Sequence, residues 1–144
     1  MARETTLILF KPDAIQKQIV GTVLERFEKA GFRIRGLKMM SLTDELLNEH
    51  YAHIAQLPFF PEVQTFMQES PVVALALEGD DVITRVRDLL GPTDSAAADP
   101  GTIRGDFGFK DGDSKMRNVC HASDSAETAA VELKRFFRDE ELFA

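Results

Sequence analysis

Four short apolar stretches, each followed by a segment with helical spacing, fix what this chain can become. Thr5 to Phe10 is an apolar run bounded by Lys11-Pro12-Asp13, and it reads as a buried strand. Phe32 to Leu42 alternates loosely, with Ile34, Leu37 and Met39 apolar, and reads as a second strand. Pro71 to Leu77, rich in valine and alanine, is a third, and a fourth is centred on Val119. Between them, Val23, Leu24, Phe27 and Ala30 repeat at helical spacing, with Gly31 placed as a C-cap and Pro12 suited to a first helical turn. Thr43 to Ile54 is a helix opened by Thr43 or Asp44, Pro58 interrupts it, and Pro61 to Met67 is a further short helix. Asp80 to Leu90 is a helix stopped by Gly91. The last helix starts at Asp124 or Ser125, with Asp124 and Glu127 as a capping pair.

This order contains the split β-α-β pattern of a ferredoxin-like fold. The expected class is α/β, an α+β sandwich in which helices pack on a four-stranded antiparallel sheet. A single layer of helices would leave the other sheet face open to a partner, a second subunit or extra segments. The stretch from Gly91 to Gly112 is loop-like with a short helical turn near Ile103, and so long a loop is usually functional or disordered.

The chain has 144 residues, so one domain, 1–144, is expected. No apolar run reaches the roughly 20 residues that span a bilayer, and the start lacks the apolar stretch of a signal peptide. A cytoplasmic protein is expected. The single cysteine, Cys120, excludes an intramolecular disulfide, and with three histidines it fits no common structural zinc set. A net charge of -7 repels nucleic acid and anionic membrane overall. A bound polyphosphate would need a few converging cations, with magnesium carrying the rest.

Residues 117–124, Arg-Asn-Val-Cys-His-Ala-Ser-Asp, carry most of the chemical information. They set His121 among small and polar residues, between the last strand and the last helix, where backbone N–H groups favour anions. A neutral imidazole is a nucleophile that can carry a covalent group. By itself, His121 also fits an inert, hydrogen-bonded histidine at a strand end. Its second ring nitrogen would need an acceptor, and Glu132 is a candidate. It shares a side of the last helix with Ala129 and Phe136, at the edge of an apolar stripe of Ala126, Ala130, Leu133 and Phe137. The plainer reading of Glu132 is a solvated residue paired with Arg135 or Arg138. Arg87 has no acid at helical spacing, whereas Arg85 can pair with Asp81; this makes Arg87 a candidate phosphate ligand or a solvated surface arginine. Thr93 and Arg104 lie among glycines that allow close backbone approach. The Gly-Lys-Ser/Thr ending of a P-loop is absent. Lys11 follows directly on a strand. Phe59 and Phe60 follow Pro58, and a Phe pair is either core or, if exposed, a platform for a base.

Along nearly its whole length the chain resembles the nucleoside diphosphate kinases. The resemblance rests on Lys11-Pro12-Asp13-Ala14, residues 26–31, Tyr51, Pro58-Phe59-Phe60, Gly79, Gly91, Thr93, residues 99–107 and Asn118 through Ser125. It implies that His121 takes the γ-phosphoryl group of a nucleoside triphosphate, mainly ATP, and passes it to a diphosphate in a ping-pong cycle. It implies that Glu132, supported by Ser123, orients the imidazole. Lys11, Tyr51, Arg87, Thr93 and Arg104 would surround the phosphates. Asn118 and Lys11 would meet the ribose, and Phe59 would stack on the base without reading its edges. Mg2+ would ride on the phosphates, with Asp124 reaching it at most through water. The resemblance also implies a homo-oligomer built on a dimer.

Several positions depart from the family pattern. Ala122 stands for a commoner glycine, His53 for an acid expected to help hold Arg87, and Leu57 for an arginine. Residues 108–116 form a longer loop than usual, read as an acidic turn able to alter subunit contacts. The chain lacks the longer tail of hexameric relatives. Two other function classes fit the fold, a nucleotide-binding module without catalysis and a nucleic-acid-binding domain. The acid balance and the lack of a basic face with interleaved aromatics argue against the last.

Overall fold

The computed structural model describes residues 3–110, 112 and 114–144. Its centre is a four-stranded sheet of β1 (Arg3–Phe10), β2 (Arg33–Met40), β3 (Val72–Asp80) and β4 (Cys120–Ala122), in the order β2-β3-β1-β4. Every neighbouring pair is antiparallel. This is the expected four-stranded antiparallel architecture. The helices are α1 (Pro12–Gln16), α2 (Val20–Lys29), α3 (Asp44–His50), α4 (Phe60–Met67), α5 (Val82–Leu90), α6 (Ile103–Phe107) and α7 (Ala126–Phe136).

Strand β1 shows why the sheet is central. Leu7, Ile8, Leu9 and Phe10 are all fully buried, although successive side chains point to opposite faces. Ile8 and Phe10 join a core with Val23, Phe27, Val86 and Ile103, from α2, α5 and α6. Leu7 and Leu9 join a second core with Leu47, Phe66 and Phe136, from α3, α4 and α7. Both faces are therefore covered, and of the coverings expected for the second face it is further segments of the chain, α3, α4 and α7, that supply it. The sequence left that choice open because periodicity carries no information about which side a crossover takes.

Other boundaries also differ from the reading of the sequence. Helix α3 ends at His50, and residues 51–57 run as turns, short of the expected Ile54. Thr43 is its N-cap, accepting from Leu46 N. Strand β3 continues to Asp80, and α5 starts only at Val82 because Asp81 turns left-handed at φ 53°. Ser125 alone caps α7 by accepting from Thr128 N, so the Asp124–Glu127 capping pair does not form. The buried face of α7 is Ala129, Glu132 and Phe136, while Ala126 and Ala130 are exposed. Alanines fit either face, so the stripe was assigned one position off. Gly31, at φ 94°, closes α2 as expected.

The long segment after Gly91 holds a short 3-10 turn, Ser95–Ala97, and then α6, which includes the expected turn at Ile103. Within the lengthened loop, Asp111 and Asp113 lie outside the described residues. Its flank folds back on the preceding segment. Ser114 Oγ donates to Asp94 Oδ1 at 2.6 Å, and Lys110 Nζ donates to Ser95 O at 2.9 Å. Among the described residues no helix is long and apolar enough to cross a membrane.

Candidate active site

Val119 is not the centre of a strand. Its φ is 79°, and Cys120 N donates across it to Asn118 O at 3.0 Å. This is a γ-turn with positive φ, rare for any residue and strained for a β-branched one. Long-range bonds hold it in place. Val119 N donates to Asp13 Oδ2 at 2.9 Å, and Lys11 N donates to Val119 O at 2.9 Å. The turn shortens β4 to three residues and sets His121 opposite Leu9. Strain that the surroundings over-determine is typical of functional sites.

Carbonyl oxygens in and around this turn hold two buried cations. Lys11 Nζ donates to Asn118 Oδ1 at 2.8 Å and to Met116 O at 3.2 Å. Arg104 donates to Asn118 O at 3.1 Å, Cys120 O at 2.7 Å and Gly91 O at 3.1 Å. Neither cation has an ion-pair partner among the described residues. Dipoles, not opposing charges, place them, so their field remains available to an anion. Burial, then the charge of Arg104, pulls the Lys11 ammonium down to about 8. Burial also lowers Arg104 from its ordinary value. The Cys120 thiol is fully buried, and burial pushes it up to about 12, so it is an inert core residue.

His121 is held from one side. Its Nε2 lies 3.1 Å from both Glu132 carboxylate oxygens. Ser123 Oγ donates to Glu132 Oε1 at 2.7 Å and accepts from Leu7 N at 3.1 Å. Burial raises the Glu132 carboxyl, but the hydrogen bonds from His121 and Ser123 outweigh it and the net direction is down. Glu132 therefore stays ionised, which fixes the Nε2-protonated tautomer and leaves the Nδ1 lone pair free. The expected alternative pairing of Glu132 with Arg135 or Arg138 does not occur: Arg135 lies against Glu49 and Arg138 against Glu140 and Glu141.

A cavity of about 760 Å³ opens beside His121. Lys11, Tyr51, Arg87, Thr93, Arg104, Asn118, His121, Asp124 and Glu132 all line it. Ser123 lies beneath, behind Glu132. Phe59 is not on its wall and is half exposed, whereas Phe60 is core. Arg87 is not the unpaired arginine it looked. It meets Asp124 at 2.6 Å, a partner 37 residues away that helical spacing cannot reveal. Arg85 does not pair with Asp81; it donates to Ala30 O at 2.8 Å and lies over the Phe32 ring. His53 also faces the cavity, while Leu57 is exposed and not on its wall. Sequence reasoning missed His50, Glu49 and Arg135, which line the cavity as well. The spacing of Leu47 and His50 on one face of α3 was the available signal.

The nucleoside diphosphate kinase family model matches residues 4–142. The chain belongs to the nucleoside diphosphate kinase family. A nucleoside diphosphate kinase of Parabacteroides distasonis is 49% identical over 140 residues, covering 97% of this chain and 89% of that one. The nucleoside diphosphate kinase structure from Aquifex aeolicus superposes with a TM-score of 0.90 at 44% identity, covering 98% of this chain and 99% of that chain. A halophilic nucleoside diphosphate kinase from Halobacterium salinarum, solved in complex with CDP, gives 0.92 at 37% identity, covering 99% of this chain and 93% of that chain. As a nucleoside diphosphate kinase, the chain is a phosphotransferase that moves phosphoryl groups from nucleoside triphosphates to nucleoside diphosphates.

Proposed function

We propose that His121 Nδ1 is the nucleophile of this transfer. Its lone pair attacks the γ-phosphorus, the bond to the β,γ-bridging oxygen breaks, and the nucleoside diphosphate departs. A terminal β-phosphate oxygen of a second diphosphate then attacks the phosphohistidine and restores the imidazole. The observation that carries this reading is the two-oxygen grip of Glu132 on Nε2. That grip supplies a developing imidazolium with a counter-charge where charge develops. Glu132 and Ser123 orient the ring.

Phosphoryl transfer asks a protein for positioning and charge neutralisation more than for covalent chemistry. Lys11, Arg104 and Arg87, with Tyr51 and Thr93, receive the phosphates, and Arg87 exchanges Asp124 for them. The Asn118 amide donates to Thr93 O and Lys115 O and its oxygen accepts from Lys11, so it aligns Lys11 with the ribose. Phe59, on the surface, offers a face that stacks on any base, which supports broad base tolerance.

The donors present suit a metal that arrives with the nucleotide. Among the described residues, the group with metal-binding spacing is His50, His121 and Glu132. Two nitrogens and a carboxylate already engaged do not suit a hard octahedral ion. Asp124, exposed at the rim, would meet Mg2+ through water. When bound, Mg2+ neutralises charge on the β- and γ-phosphates.

We read the chain as one domain working in the cytoplasm, as a homo-oligomer built on a dimer. The test of the chemistry is intact mass after mixing with ATP and magnesium at mildly alkaline pH, followed by GDP. The expected result is the gain of one phosphoryl group, labile to acid, discharged by GDP and absent in His121→Ala. Full transfer activity in His121→Ala would sink the proposal.

A further inference from the structure

Glu132 orients the His121 ring through a single nitrogen, Nε2. The axis of the Cβ–Cγ bond of a histidine leaves the far side of the ring between Cε1 and Nε2. Turning the ring about that bond moves both nitrogens, Nδ1 the further of the two. This torsion joins an sp³ to an sp² atom, so its intrinsic well is broad. A carboxylate bound to Nε2 therefore narrows the direction of the nucleophile but grips the ring at one atom only.

The structure places a second ring against the first. His50 ends α3, is 8% exposed, and stands edge-on to His121 with ring centres 4.8 Å apart and planes at 81°. Tyr51 at 4.9 Å and Phe136 at 5.1 Å pack edge-on against His50 in turn. Arg135 Nη1 lies 2.9 Å from His50 Nδ1. A guanidinium can only donate, so Nδ1 accepts and carries no proton. Glu49 steadies Arg135 from the solvent side, with Oε2 3.3 Å from Nε as an ion pair without hydrogen-bond alignment.

We infer that His50 is a positioning residue, a neutral ring whose edge fixes the rotation of His121 and so aims its Nδ1 at the phosphorus. The second half of the device protects the first. His50 Nδ1 is 4.0 Å from Glu132 Oε2, so a protonated His50 would compete with His121 for that carboxylate. Burial, then the charges of His121 and Arg135, hold the His50 imidazole down to about 3, against the opposing pull of Glu132. At neutral pH the His50–Glu132 approach is thus not an ion pair, and His50 does not draw Glu132 away from His121. The choice of histidine over phenylalanine follows, because Arg135 is mostly buried and needs an acceptor.

This inference rests on the His121 mechanism proposed above. The test compares His50→Asn, which keeps an acceptor for Arg135 but has no ring, with His50→Phe, which keeps the ring but not the acceptor. The readout is the single-turnover rate of His121 phosphorylation at saturating ATP, and the ATP concentration giving half that rate. We expect about a tenfold slower rate in His50→Asn with an unchanged half-saturating concentration, in line with the cost of small misalignments at reacting atoms. His50→Phe should recover most of the loss. If His50→Asn does not fold, His50→Gln serves as the ringless variant. A ringless variant as fast as the parent overturns the inference, as does a His50→Phe as slow as His50→Asn. A parent that forms no phosphoenzyme overturns the mechanism itself, a separate result.

Discussion

Lys11 is the residue whose chemistry depends most on its surroundings. Its ammonium is buried beside Arg104 and is drawn down to about 8. The charged form binds phosphate, so it is complete well below pH 8 and is lost as the pH rises through 8. Nucleotide phosphates reverse this trend by favouring the charge. We therefore expect ADP affinity to fall as pH rises above 8, with proton uptake on binding near that pH. Titration calorimetry in two buffers of different ionisation enthalpy measures both. In Lys11→Arg, which titrates far higher, the pH dependence should vanish, and its persistence would rule Lys11 out as the source. The sign for stability is opposite. A lysine whose folded pKa lies below its unfolded value costs stability when charged, and that cost is relieved as pH rises from about 8 towards 10.5.

Glu132 makes the complementary case. Replacing it with Gln keeps the shape but removes the charge that stabilises the imidazolium. We expect kcat to drop by about 10²-fold with little change in KM, as when an interaction specific to the transition state is lost. Steady-state rates for Glu132→Gln at saturating ATP and GDP decide it, and a KM-only effect would contradict the assigned role. Much of this site was legible in residue identities: His121, Lys11, Arg104 and Asn118 do converge. The pairing of Arg87 with Asp124 was not, because ion pairs across 37 residues leave no local spacing. Nor was the division of the Phe59–Phe60 pair, since two adjacent phenylalanines do not say which ring the core takes.

At the scale of elements, α7 carries Glu132 and is started by one residue. Ser125 Oγ accepts from Thr128 N at 3.1 Å, satisfying a donor that the helix cannot pair. Ser125→Ala should lower unfolding free energy by about 1 kcal/mol, the usual cost of losing an N-cap. Urea unfolding should show a lower midpoint at unchanged slope, and an unmoved midpoint would mean that water caps the helix equally well. Gly105 in α6 is less tolerant. A Cβ there would lie 1.9 Å from Asp99 O, a backbone atom with no room to yield. Gly105→Ala must shift the segment that presents Arg104, so we expect loss of both stability and ADP affinity by calorimetry. Strand and helix order was readable because apolar runs and helical spacing reflect burial directly. The γ-turn at Val119 was not, because a β-branched residue reads as strand wherever local preference alone is consulted. Only tertiary bonds from Asp13 and Lys11 impose its positive φ.

On the scale of the whole molecule, the charge of -7 and the phosphate cavity answer different needs. Acid over most of the surface discourages non-specific association with nucleic acid, while Lys11 and Arg104, held by carbonyls, keep a local positive field. The other global feature is the edge of the sheet. Among the described residues strand β2 pairs only with β3, and its outer edge is covered at one end, where Phe143 N donates to Arg35 O at 2.9 Å. Beyond that point Leu37 and Met39 are 49% and 58% exposed. An unpaired edge flanked by exposed apolar side chains is a surface that natural proteins protect or use. The proposed dimer would use it, with a second copy covering both residues. Leu37→Lys combined with Met39→Lys sets like charges against each other across a two-fold contact, so the assembly should dissociate to a chain of 16.1 kDa in sedimentation velocity. The cavity lies on the opposite edge of the sheet, next to β4, so the phosphoryl group should still be accepted by the dissociated chain. An assembly of unchanged mass would move the interface away from β2.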